Sequence, residues 1–301
     1  MAINSVNAIN TAIANGAYYK TSWYKLTTGS AGAAGTWYDM WLNTGMPSTG
    51  TLAGSLGTGY TMTGAPGSSF TAGRISCAEN VSPSVKHLIN ASAMVTAATA
   101  MPCWLLLVDM LAYYPGIVMT TTTAQTVNSG NVSSLTRYTN GKGVMMYLAV
   151  TTALTTPALT ASTATYNNGV GDKTTPTFSL NSVAATGLAT AIPHSGLIAN
   201  NFAPFLPLAS GDSGVVYPKT VTVQATQAGG TCALILCKPL ATIPIYPGPA
   251  NTTVPTDRDF VFNMPTMPRI YDGACLNLLL YSSGALVAST NVYGTLDFVW
   301  G

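Results

Sequence analysis

Ser213 lies in Gly211-Asp212-Ser213-Gly214 and follows His87 and Asp109 along the chain. A serine hydroxyl, an imidazole base and an orienting carboxylate are the groups that nucleophilic acyl transfer requires, and His, Asp, Ser is one order in which they occur. The surroundings oppose that chemistry. Val215 follows the motif, His87 sits in Ser-Val-Lys-His-Leu-Ile-Asn, and Asp109 is flanked by apolar residues. A nucleophile of this kind needs a particular backbone context, which these neighbours do not supply. The simpler expectation is a polar turn between two strands, with a glycine at positive φ and Asp212 as an Asx cap.

Other chemistries lack their groups. The five cysteines (Cys77, Cys103, Cys232, Cys237, Cys275) show no C-x-x-C spacing and have only His87 and His194 as companions, so no metal site is expected. Cys232 and Cys237 are five apart in an apolar run, on opposite faces of a strand, and fit buried free thiols. No glycine-rich phosphate loop is present, and no cofactor is expected. Gly141-Lys142-Gly143 fits a turn, and Asp257-Arg258-Asp259 fits a surface ion pair better than an acid-base dyad. Eleven Lys and Arg against nine Asp and Glu, scattered singly, do not make a nucleic-acid groove.

The elements that would carry these residues follow from composition. Charged residues are only 7% of the 301, against about 25% in ordinary soluble proteins, and there is a single glutamate, Glu79. Helices expose Glu, Lys and Arg, whereas Thr, Val and Tyr suit a pleated sheet. The chain is therefore expected to be all-β, an antiparallel sandwich or jelly-roll-like fold with a short N-terminal amphipathic helix. Alternation marks strands at 143–152, 157–166, 175–180, 220–225, 231–246, 274–281 and 286–300, with turns at Asn167-Asn168-Gly169, Asn181-Ser182 and Ser282-Ser283-Gly284. Residues 101–119 are nearly long enough to span a bilayer. Asp109 at their centre and the turn signal Pro115-Gly116 predict instead a buried strand over 103–113 followed by a turn, and no membrane partner is expected.

Three regions are expected: a helical docking arm (1–18), a Gly/Thr/aromatic-rich β region (19–120) and a β-sandwich region (121–301). In the arm, Ile3, Val6, Ile9 and Ile13 fall at helical spacing before the stop signal Asn15-Gly16. It has neither the positive start nor the long apolar core of a secretory signal. Trp23, Trp37 and Trp41 lie in a Gly/Thr/Ser-rich stretch, and aromatic side chains are favoured interface anchors. With Ile3, Val6, Ile9 and Ile13 they are the expected partner contacts. A surface this poor in charge also favours assembly over life as a free monomer.

Four segments carry a resemblance: SLTRYTNGKGV (134–144), TATYNNGVGDKTTP (163–176), FLPLASGDSGVVYPKTVTV (205–223) and ALILCKPLATIPI (233–245). In that order, within about 113–247, they resemble a family of tailed-bacteriophage virion proteins found among head genes. The resemblance implies a virion component in which the Leu-Pro-Leu and GDSGV stretch opens a framework strand. The chain has no long charged spine helix or charge-rich arm of the kind the phage shell fold carries. An auxiliary head protein is therefore expected, a decoration or cement subunit made in the host bacterial cytoplasm and mounted on the head surface. Its partners would be the major capsid protein and itself, as a trimer. Alternatives are a tail or neck component, a fibre-like adhesin for host surface glycans, and, remotely, a chymotrypsin-like serine hydrolase.

Overall fold

The computed structural model describes residues 3–27, 34–64, 72–78, 80–154, 159–180, 190–191, 204–224, 229–249, 253–262, 267–288 and 290–301. Glu79 and the turn expected at Asn181-Ser182 lie outside them. The chain is all-β with antiparallel sheets and one short helix, α1 (Val6–Ala14).

The strands of the first half are β1 (Tyr18–Leu26), β2 (Thr36–Asp39), β3 (Gly45–Met46), β4 (Tyr60–Thr61), β5 (Lys86–Val95), β6 (Cys103–Val118), β7 (Gln125–Thr126) and β8 (Met145–Thr152). Then come β9 (Leu159–Asn167), β10 (Asp172–Thr174), β11 (Phe178–Leu180), β12 (Thr190–Ala191) and β13 (Tyr217–Thr222). The last are β14 (Thr231–Ile245), β15 (Thr256–Asp259), β16 (Arg269–Ile270), β17 (Leu276–Ser282) and β18 (Asn291–Trp300).

The central layer runs β14-β8-β12-β2-β17-β6-β4, and β14 also pairs with β6, so the pairings curl the sheet back on itself. One flanking sheet runs β15-β5-β18-β1-β3, with β16 on β5; the other runs β10-β9-β13-β7, with β11 on β9. The pairing crosses the boundary expected at 120/121. β6 lies between β14 and β17, and β1 pairs with β18 from Tyr18 opposite Val299 to Leu26 opposite Asn291.

The long strands β6 and β14 each serve three cores. In β14, Cys232, Leu234 and Leu236 face the five-stranded sheet, while Ala233, Ile235 and Cys237 face the inside of the curl. Further on, Ala241 and Ile243 face the six-stranded sheet. Period-2 alternation makes this division, and both faces are buried because sheet covers each. Val144, Met146, Leu148 and Val150 share a core, as their spacing predicts, but Tyr147 and Ala149 on the other face of β8 are buried too.

Two expectations need correction. β6 does not end before Pro115-Gly116 but continues to Val118. Pro115 and Gly116 sit in a β-bulge where Tyr114 pairs with Leu234 and Ile117 with Cys232, and Gly116 has φ +77°. A bulge accepts both the missing N–H of proline and the left-handed glycine, so the turn signal is absorbed within the strand. The three tryptophans are not surface anchors. Trp23 (2% exposed) packs between the six-stranded and central sheets, and Trp37 (2%) and Trp41 (0%) fill the inside of the curl. Large apolar rings give most when wholly buried.

Candidate functional site

The groups suited to acyl transfer stand on three different elements. His87 lies in β5, opposite Val299 of β18 and Arg269 of β16, with Nδ1 3.4 Å from the Met267 carbonyl. Asp109, in β6, is fully buried, with its carboxylate held by the Arg137 guanidinium at 2.8 and 2.9 Å and by the Cys275 N–H at 2.9 Å. Ser213 is in a turn before β13, and its carbonyl accepts from the Gly143 N–H at 2.6 Å. The structure does not bring them together as a triad.

It explains the Gly211-Asp212-Ser213-Gly214 motif differently. This turn and the Gly141-Lys142-Gly143 turn zip together through Gly143 N–H to Ser213 and Val215 N–H to Val144. Gly211 has φ +84°, Gly141 +69° and Gly143 +70°. Gly214 has no room for a Cβ, which would strike the Gly141 carbonyl oxygen. Asp212 is not the expected Asx cap; its carboxylate accepts from the Tyr166 hydroxyl and from Asn168 Nδ2. The motif is thus framework that pins two loops to β9.

Charged and polar groups elsewhere are likewise engaged inside the fold. Asp39, at the end of β2 and wholly buried, accepts from Asn277 Nδ2 at 2.6 Å, the Trp41 N–H at 2.9 Å and the Tyr147 hydroxyl at 3.0 Å. Burial pushes its carboxyl up despite those donors. Lys25, near it, is pushed down by burial to about 8 and donates to the carbonyls of Asn43 and Ser48. Asp259, in the Asp-Arg-Asp run, caps the N–H groups of Val261 and Phe262. Sequence reading missed the Asp109–Arg137 pair and the Asp39 network. Their signal was an isolated Asp within an apolar strand, which needs a buried partner.

All five cysteines are free and buried, and burial raises each thiol, Cys103 to about 12. Among the described residues no three His, Cys, Asp or Glu side chains gather as a metal site, and no helix is long and apolar enough to cross a membrane.

The expected partner contacts of the N-terminal arm lie on and beside α1. Ser5 caps it, accepting from the Ala8 N–H at 3.1 Å, and Gly16 at φ +76° follows its last turn. Neither first nor last turn carries a charge. Ile9 and Ala12 are buried, and a groove of about 190 Å³ separates the helix from Ser84 and Trp300. Ile3 lines that groove. Val6 (44% exposed) and Ile13 (40%) point outward. Of the expected contacts, Val6 and Ile13 are therefore accessible, Ile3 partly so, and Ile9 belongs to the chain's own packing.

Scanned against known protein families and curated proteins, the chain matches none of them. The likeness to tailed-phage head proteins therefore rests on the four quoted segments alone.

Proposed function

We propose that this chain is a structural, non-enzymatic subunit of a tailed-phage virion, an auxiliary head protein that decorates or cements the shell. One observation carries the non-enzymatic half. Of nine carboxylates, seven (Asp39, Asp109, Asp172, Asp212, Asp259, Asp272, Asp297) already accept hydrogen bonds from the chain's own groups, Asp172 at the surface. Groups held in this way position strands and loops; a general acid or base must instead face a substrate. The resemblance supports the virion half, the low-charge surface supports assembly, and the three-fold positions of a head shell favour a trimer.

On this reading α1 is the attachment device. Its inner residues hold it to the body, and Val6 and Ile13 offer an uncharged apolar row to the major capsid protein. The test is to look for the chain in purified heads by mass spectrometry and to image particles carrying V6D/I13D. The variant is expected to fold with an unchanged melting temperature and to lose head attachment. Absence of the chain from purified particles refutes the virion reading, and normal attachment of V6D/I13D refutes the role of the helix.

A further inference from the structure

The loop before β8 forms a cleft of about 480 Å³ with Tyr271 and Lys238. That volume falls within the roughly 300–1,000 Å³ typical of small-ligand sites. Arg137 turns inward from this loop to Asp109, while Tyr138 beside it takes the left-handed conformation, φ +53°. Strain of this sort in a bulky residue persists only where the surroundings impose it. The Tyr138 and Tyr271 rings meet edge to face, 4.8 Å between centres.

Cations gather on these rings. The Lys238 ammonium lies 5.7 Å from the centre of the Tyr138 ring and donates to the Lys142 carbonyl at 3.1 Å. The Arg269 guanidinium lies 4.3 Å from the centre of the Tyr271 ring. Lys142 and Lys238 line the cleft, and Arg269 stands over the ring of its lining residue Tyr271, so three of the chain's eleven basic residues lie at or beside it. Among the described residues none of the three has a carboxylate partner. Asp109 is closed off behind Arg137, and Asp272 is taken by Lys86 at 3.2 Å and by the Val81 N–H. Ring faces thus hold the cations in place and leave N–H donors unneutralised. Burial and the neighbouring Lys142 charge both lower Lys238's proton affinity, so the two ammonium groups repel. The Tyr138 hydroxyl is buried and has no hydrogen-bond partner.

We propose that this cleft binds an acidic saccharide, with its carboxylate met by Lys142, Lys238 and Arg269 and its sugar ring against the two tyrosines. The cations alone would suit any oxyanion. The two tyrosine rings and the polar side chains of Thr139 and Asn140, which line the same cleft, favour a sugar carrying the anion. Such a site gives the chain a glycan-binding activity that does not depend on how or where the subunit is mounted.

The test is calorimetric titration of the full chain with four probes: a linear hexuronate tetramer, a sialylated oligosaccharide, a neutral hexose tetramer and inorganic phosphate. At least one acidic saccharide is expected to bind ten or more times tighter than the neutral tetramer and phosphate, more weakly as salt rises. K238Q and R269Q should each weaken that binding about tenfold with melting unchanged, since each removes a charge-assisted donor. Y271F should bind as the parent does and Y271A should not. If neither acidic probe binds, if the neutral tetramer or phosphate binds equally well, or if K238Q and R269Q bind normally, the proposal is wrong.

Discussion

Replacing Arg137 by Met puts the heaviest single load on this fold. The guanidinium makes two bonds to Asp109, two of 3.2 Å to the Met62 carbonyl and one of 3.0 Å to the Met110 carbonyl. Methionine matches much of the side-chain length but supplies no donor. Asp109, 0% exposed, would keep only the Cys275 N–H, and two main-chain carbonyls would lose a donor. Removing one partner of a buried ion pair costs about 3–5 kcal/mol. For 301 residues the entropy of unfolding is roughly 0.6 kcal/mol/K, so R137M should melt about 5–8 °C lower. Calorimetry of R137M, D109N and the double variant measures the coupling directly. The double variant should lose clearly less than the sum of the singles. A drop under about 2 °C for R137M, or strict additivity across the cycle, would refute the account of this pair as a buried structural tie.

Gly214→Ala drives a methyl group into the Gly141 carbonyl oxygen and should destabilise by about 2 kcal/mol or more, whereas Ser213→Ala should melt as the parent does. A serine-directed phosphonate should not label Ser213; stoichiometric labelling would restore the hydrolase. Stability should fall as pH rises above about 9, because the unfolded chain ionises its thiols there while the five buried ones stay protonated. Each buried thiol should contribute a loss of roughly 1.4 kcal/mol per pH unit beyond that point. Lys25, whose folded-state value is depressed to about 8, acts in the opposite sense between pH 8 and 10.5, so K25M should steepen the alkaline loss seen in chemical unfolding.

How much of this was legible in the sequence depended on the range of the interaction involved. Period-2 alternation located β8, β13, β14 and β17 within a few residues, because the pleat itself writes that pattern. The helix and its stop at Asn15-Gly16 were legible for the same local reason. Pro115-Gly116 misled because turn chemistry and bulge chemistry ask for the same residues. The tryptophans misled because an aromatic among glycines and threonines fits an exposed anchor as well as a core filler, and only β17 and β8 closing over Trp37 decides it. The Tyr138 cleft joins residues from three separated stretches of the chain, so no local spacing marks it.

The pairing of β1 with β18 sets a timetable for biosynthesis. Tyr18 and Asp297 share a hydrogen bond although 279 residues separate them. On the ribosome the first strand emerges with only the two-residue β3 to pair on one edge, and its other edge waits while nearly all of the intervening chain is made. β18, against which α1 packs, is also missing until then. A nascent or truncated chain consequently lacks the platform that presents Val6 and Ile13, so on the proposed reading docking through the helix would be reserved for chains whose translation has reached β18. An assembling particle would be shielded from unfinished copies by the order of synthesis alone, without a dedicated checkpoint.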